Sequence, residues 1–314
     1  MRLSRERLLL LVLAAATAAV WWLAWGELPR PLTITVLDVG QGDSILVQAP
    51  SRTVLVDGGG SPGQHADGWD VGRDVVVPAL LARGVKRIDV LVITHPDEDH
   101  IGGLPAVLEA VPVGLVLDPM LECHSDSYAH LNEIAREKGV PVHRATEGQR
   151  LNLGDGIFAD VLNPPDPRLQ GTGSDRNENS IVLRIVCGHT SALLTGDIDR
   201  NGVARLARLG EEVRSTILKV PHHGSADGAV PEFYDAVRPE LAVISVGAEN
   251  PFGHPSPEVL REAQRVGAKV MRTDEDGAVT ICLTGQRWSA RGYARRVGAR
   301  RLAGAADGAA KETR

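Results

Sequence analysis

Three cysteines, Cys123, Cys187 and Cys282, are spread over 314 residues, too few and too far apart for a disulfide framework or a thiolate zinc site. One disulfide with a leftover thiol stays open, but Cys187 and Cys282 sit in apolar runs and read as core residues. Positive charge is also scarce. Lys and Arg number 34 against 40 Asp and Glu, a formal net charge of −6, which excludes a generally basic nucleic-acid binder. No sequence repeat relates the two halves of the chain.

Residues 8–25 lack charge altogether and are rich in Leu, Ala, Val and Trp. As a helix this stretch would span about 27 Å, close to the roughly 30 Å hydrocarbon core of a bilayer. The absence of a polar face argues against a buried core helix. Arg2, Arg5 and Arg7 precede it and are expected to stay cytoplasmic, leaving everything after Pro29 outside. Ala16 and Ala18 suit a cleaved signal peptide, whereas Trp21, Trp22 and Trp25 suit the interfacial belt of a retained anchor. The apolar run continues past the small residues, so the anchor is the preferred reading. The expected location is the cell membrane with an extracytoplasmic domain, or secretion if the segment is removed.

The remaining chain is long enough for a sizeable core. Short apolar runs predict strands at residues 32–37, 44–47, 53–56, 90–94, 114–117, 157–162, 181–186, 192–195, 217–220, 241–246 and 279–283. Helices are expected at 75–82, 104–111, 129–138, 201–209, 232–237 and 257–266, the last capped by Ser256 with Pro257 at its first position. Strands outnumber helices and the early ones come as hairpins, so a simple doubly wound sheet is not expected. A polar loop at 163–179 divides the chain, as either a functional loop or a disordered insertion. Residues 303–314 are small and polar and are expected to be disordered.

Residues 94–103 read T-H-P-D-E-D-H-I-G-G and place His95, Asp97, Asp99 and His100 just after a buried strand. Alternating ligands on one rigid strand end can serve two metal ions. Other strand ends carry similar residues: L-L-T-G-D ends in Asp197, K-V-P-H-H-G-S holds His222, His223 and Ser225, and N-E-N-S holds Asn179 and Ser180. V-G-A-E-N-P-F-G-H-P adds Asn250 and His254, and the early glycine turns add Asp38, Gln41, Asp43 and Asp57. Alone, Asp57 reads as turn chemistry, Asp197 as a helix cap, and His254 or the His-His pair as ordinary surface or core residues. The cluster at 95–100 resists that explanation because two imidazoles and two carboxylates converge there.

Taken in order, these motifs resemble the metallo-β-lactamase superfamily, in the variant with Asp97 at the second histidine position, and within it the extracellular hydrolase domain of ComEC/Rec2 competence proteins. The likeness runs from residue 32 to 283. It lacks the polytopic membrane part of those proteins, so the DNA channel itself is not implied. The resemblance implies a four-layer αββα sandwich over residues 31–298, preceded by one membrane or signal helix at 1–30 and followed by a disordered tail at 299–314. It implies two divalent ions: His95 and Asp97 on one, Asp99, His100 and His222 on the other, with Asp197 bridging. Asn179 and Ser180 stand where many relatives carry a third histidine. More carboxylate and less imidazole make manganese a rival to zinc.

Asp99, His223 and His254 are the expected catalytic residues, with His254 either a ligand or a substrate contact. Asp43 and Asp57 are expected to orient ligating imidazoles. Ser225 and Asn250 are expected to donate to substrate oxygens. Lys219 is expected to face away and serve only structure. The expected partners are DNA or another phosphodiester, the membrane through the N-terminal helix, and a separate competence channel as a further candidate. A lactamase-like hydrolase of a small ester, lactam or nucleotide is the rival, and a non-catalytic tethered accessory to DNA uptake is the third reading. The basic run Arg287, Arg291, Arg295, Arg296, Arg300 and Arg301, with Trp288 and Tyr293, is either a phosphate and base contact or a solvated tail.

Overall fold

The computed structural model describes residues 4–27, 31–60, 68–248, 250–293 and 301–305. Two compact units emerge, residues 1–31 and 32–314. In the first, Arg5–Glu27 forms a helix with Leu9, Leu10, Leu11, Val12, Leu13, Val20 and Trp21 exposed. Among the described residues, no helix is long and apolar enough to cross a membrane. The part of the anchor expectation that falls on Leu8 and on Trp22 to Trp25 lies outside the side chains described.

The second unit opens with strands β1 (Leu32–Val36), β2 (Ile45–Gln48), β3 (Thr53–Val56), β4 (Val90–Val92), β5 (Val116–Asp118) and β6 (Val142–Arg144). The chain then leaves to build a second sheet from β7 (Arg150–Gly154), β8 (Ile157–Asn163), β9 (Val182–Cys187), β10 (Thr190–Leu194), β11 (Ile217–Lys219), β12 (Leu241–Ile244) and β13 (Lys269–Arg272). It returns to the first with β14 (Val279–Leu283), β15 (Arg287–Gly292) and β16 (Arg301–Ala305). The strand orders are β16-β15-β14-β1-β2-β3-β4-β5-β6 and β13-β12-β11-β10-β9-β8-β7. Strands β3 to β6 run parallel, as do β10 to β13, because helices carry the chain back between them.

Period-two alternation assigns the faces. Ile34, Val47, Val54, Val92, Ile185, Leu194, Ile217 and Val243 share one core between the sheets. Leu46, Leu55 and Leu91 point the other way, onto helices that contribute Val76, Leu80, Leu104, Val107, Leu131 and Ile134. Leu193, Leu218 and Ile244 likewise meet Val203, Leu206, Phe233, Val237, Val259 and Ala263. Each fully buried Leu or Ile contributes about 1.5–3 kcal/mol, and three separate apolar seams hold a helix–sheet–sheet–helix stack together. The loop expected to be either functional or disordered is ordered over 168–179 and contains the turn Asp175–Glu178. Residues 301–305, expected to be disordered, pair antiparallel with β15; an exposed strand edge leaves N–H and C=O groups to satisfy.

The parallel strands matter because their C-terminal ends lie at one edge. Asp57 follows β3, His95 follows β4, Asp197 follows β10, and the His-His pair follows β11. Hydrogen bonds sew the two sheets together there: Ile181 N–H donates to Thr94 O at 2.9 Å, and the Ser245 hydroxyl donates to Gly42 O at 2.7 Å. Gly42 has φ +135°, and a Cβ on it would stand 2.2 Å from Asp99 O. A side chain there would push the Asp43 turn off the ligand loop.

Candidate metal centre

Four side chains from three strand ends converge: Asp99, His100, Asp197 and His223 offer ligand atoms all within 4.8 Å of one another. Asp197 Oδ2 lies 3.2 Å from His100 Nε2 and 3.1 Å from His223 Nε2, and Asp99 Oδ2 lies 3.3 Å from His223 Nε2. The opposite nitrogens are committed. Nδ1 of His100 meets Asp57 at 2.8 Å, and Nδ1 of His223 donates to Ser245 O at 3.0 Å. A carbonyl only accepts, so Nδ1 of His223 carries a proton and Nε2 is the nitrogen aimed at the cluster, its lone pair open to a cation once that nitrogen gives up its proton.

Nε2 of both histidines and Oδ1 of Asp197 are buried without a hydrogen-bond partner among the described residues. Such orphans cost about 1–3 kcal/mol each unless something satisfies them. Two imidazole nitrogens, each oriented from behind, and two carboxylates form the donor set a divalent cation takes.

A second, looser set shares Asp197. His95 Nε2 lies 3.8 Å from Asp97 Oδ2, and the His95 and His100 rings are 4.1 Å apart. His95 Nδ1 faces the Thr94 hydroxyl at 3.1 Å, whose own proton goes to Asp57. His222 Nε2 is 3.9 Å from Asp197 Oδ2, and its Nδ1 is 2.6 Å from Asp199. Asp199 precedes the helix Arg200–Ala207 but makes no side-chain cap bond there; it orients His222 instead.

Side-chain direction in the His-His pair comes from the backbone. His222 (φ +45°) and His223 (φ +52°) are both left-handed, a conformation costing about 1–2 kcal/mol per non-glycine residue. His223 turns inward and is buried, while His222 stays partly exposed. The place beside Asp99 and His100 therefore belongs to His223, and His222 sits on the outer side of Asp197.

Beneath the cluster lies Lys219. Alternation from Ile217 aims it between the sheets, contrary to the expectation that it faces away, and it is 1% exposed. It forms an ion pair with Asp43, lies 3.5 Å from Asp197 Oδ1, and donates to Gly196 O at 3.2 Å. Burial works against the Lys219 charge, but Asp43 and Asp197 outweigh it and hold its pKa above the ordinary value.

The same balance recurs across the centre. Burial opposes ionisation of Asp197, yet His223, His100 and Lys219 hold its pKa well below the carboxylate range. Burial also opposes charge on His223, and Asp197 and Asp99 lift it to about 10. His100 is raised well above its ordinary value as Asp197, Asp57 and Asp99 overcome burial. Burial, then His100, push His95 far down and keep it neutral.

The remaining expected residues divide. Ser180 reaches the site: its hydroxyl is 3.3 Å from His95 Nδ1 and accepts from Asp197 N–H. Asn179 does not present its amide, which bonds to Leu169 N, Leu169 O and Asp175 O. Asn250 is likewise committed to Gly247 O and to both backbone groups of His254. Ser225 caps the turn Ala226–Gly228. His254 packs its ring 5.8 Å from that of His222, and burial, then His222, lower its pKa.

Trp288 is corrected outright: it is 2% exposed and its indole donates to Glu240 at 2.6 Å, so it cannot stack a base. Tyr293 is exposed, with Arg291 4.8 Å from its ring centre. Arg295, Arg296 and Arg300 lie outside the described residues. Asp199 and Arg176, which pairs with Asp97 at 2.9 Å, join the site without being expected there from the sequence. Only the D-I-D spacing after β10 hinted at the first.

Residues 37–248 match the metallo-beta-lactamase superfamily. ComE operon protein 3 of Bacillus subtilis (strain 168) is 34% identical over 264 residues, 78% of this chain and 32% of that protein. Competence protein ComA of Neisseria gonorrhoeae is 34% identical over 251 residues, 80% of this chain and 32% of its own. The chain thus spans about a third of the length of these curated relatives. Among solved structures, a mutant of the CmlA beta-hydroxylase aligns with a TM-score of 0.50 at 18% identity, covering 81% of this chain and 54% of that one, a likeness of fold alone. Strand ends carrying His, Asp and His-His at one edge of two facing sheets, together with the match over residues 37–248, place this chain in the metallo-beta-lactamase superfamily.

Proposed function

We propose that the chain is a dinuclear metal-dependent phosphodiesterase acting on DNA, held at the membrane by residues 8–25 with its hydrolase unit outside the cytoplasm. The observation that carries this reading is Asp197, which faces both histidine sets, His100 with His223 on one side and His222 on the other. Asp99, His100, His223 and Asp197 would hold one ion, and His95, Asp97 and His222 with Asp197 the other. When bound, such ions supply Lewis acidity and with it a hydrolytic nucleophile near neutral pH.

The protein does the positioning. Asp57, Asp199 and Ser245 O fix the imidazoles, and Lys219 offsets the charge of Asp43 and Asp197 from below. His254, kept neutral at the outer rim, is placed to exchange a proton or a hydrogen bond with a substrate oxygen. A role with DNA is supported by the likeness to ComE operon protein 3 and to Competence protein ComA. It is also supported by exposed Phe252, stacked on His254 with ring centres 5.7 Å apart, which offers a base a flat apolar face. Zinc and manganese both suit the mixed imidazole and carboxylate set.

The test is incubation of the purified full chain, in detergent, with single-stranded DNA and Mn2+ or Zn2+, beside an Asp99→Ala control. Metal-dependent cleavage by the parent alone is expected. Equal activity in the two samples would sink the reading, and turnover of a chromogenic ester with DNA untouched would favour a small-substrate hydrolase.

A further inference from the structure

The loop at residues 168–179 is more heavily built than a connection needs to be, and what it presents to Asp97 is the guanidinium of Arg176. Asp175 accepts from Gly171 N–H, Thr172 N–H and the Thr172 hydroxyl at 2.9, 2.7 and 2.6 Å. Asn179 ties the start of the loop at Leu169 to its end through two bonds. Asn163 donates to Glu178 O and Ser180 O, and the buried Glu178 carboxylate takes Asn201 N–H and, by its other oxygen, Gly202 N–H. Arg176 rides on the turn so fixed. Its Nη1 lies 2.9 Å from Asp97 Oδ1 while the side chain stays 52% exposed. Beside the pair opens a cavity of about 510 Å³ lined by Asp97, Gly171, Gly173, Ser174 and Arg176.

Charge gives this arrangement a purpose. Asp43, Asp57, Asp97, Asp99, Asp197 and Asp199 stand against the single buried ammonium of Lys219, an excess of five carboxylates, of which two divalent ions would balance four. Arg176 adds positive charge on the solvent side of Asp97, and a phosphodiester carries one negative charge to meet it. A guanidinium has five donors in a planar fork, so it can hold Asp97 through one edge and a phosphate oxygen through another.

We propose that Arg176 binds a non-bridging phosphate oxygen of the substrate and positions it beside Asp97. This rests on the phosphodiesterase reading and names the residue that would orient its anionic substrate. Lysine would serve less well, because a point charge cannot keep both partners in fixed directions.

The experiment compares the full-length parent, Arg176→Ala and Arg176→Lys, each loaded with Mn2+. It reads kcat and KM for bis(p-nitrophenyl) phosphate, orthophosphate affinity by calorimetry, and metal content by elemental analysis. In Arg176→Ala, KM should rise and orthophosphate binding weaken by about tenfold or more, as loss of a charge-assisted hydrogen bond implies. Metal content should be unchanged, and Arg176→Lys should recover part of the loss. Unaltered KM and phosphate affinity in Arg176→Ala would overturn the assignment. So would loss of metal in that variant, since Arg176 would then serve only to place Asp97. If the parent binds orthophosphate without turning over the diester, the phosphodiesterase reading fails, and the binding comparison alone decides Arg176. A parent that does neither overturns both.

Discussion

Asp57 Oδ2 lies 2.8 Å from Nδ1 of His100, and both side chains are wholly buried. The same carboxylate accepts from Thr94 N–H at 2.8 Å and from the Thr94 hydroxyl at 2.7 Å, so a single aspartate orients His100 directly and His95 through Thr94. Burial raises the Asp57 pKa against the pull of His100.

Asp57→Asn tests this orientation cleanly, because Asn accepts the left-handed backbone at position 57 (φ +58°) and fills the same volume. Divalent-metal affinity should fall by about 10- to 100-fold, as removal of outer partners of ligating histidines does elsewhere, with far-UV circular dichroism unchanged. Competitive chelator titration measures it, and parental affinity would remove Asp57 from this role.

Lys219→Met should be costly. It would leave Asp43 and Asp197 facing each other in a buried site without their shared cation, a loss of about 3–5 kcal/mol. Urea unfolding in the presence of EDTA reads this directly. Added divalent metal should narrow the gap to the parent; a variant as stable as the parent in EDTA would mean Lys219 is dispensable.

The buried His223 makes chelated protein sensitive to alkali. Its pKa is raised from 6.5 to about 10 on folding, so the folded state binds the proton more tightly than the unfolded chain. That stabilisation is complete below pH 6.5 and is lost as pH rises through about 10. In EDTA, Tm should therefore decline across this window, and His223→Gln should flatten the decline. Parallel slopes for the two proteins would refute the assignment.

Phe252→Ala removes an exposed ring, 65% accessible, that supports no core. Base stacking is worth about 1–3 kcal/mol, so KM for oligodeoxythymidylate should rise roughly 5- to 150-fold while Tm stays put. An unchanged KM would show that the ring meets no base.

Much of the sheet was legible in the chain. Residues 53–56 and 279–283 form strands with the expected bounds, since both are apolar runs buried within a sheet. Among the strands not expected from the sequence are Val142–Arg144, Arg150–Gly154 and Lys269–Arg272. All three are sheet edges, short and partly polar, and an edge strand carries only a weak apolar signature. Trp288 misled for the opposite reason: basic neighbours suggested a surface, yet alternation along β15 turns the indole inward and the arginines out.

The site was legible in kind more than in arrangement. His, Asp and His-His at successive strand ends identify a metal-ligating edge from sequence alone, because ligand chemistry belongs to the side chains and strand ends follow from periodicity. Which histidine of the pair joins Asp99, whether Lys219 points in or out, and what Arg176 touches were decided only in three dimensions. Those outcomes depend on two left-handed residues, on the phase of one strand, and on a loop that meets Asp97 from 79 positions away in the chain. Backbone dihedrals and long-range contacts of this kind leave no periodic trace in the residues that adopt them.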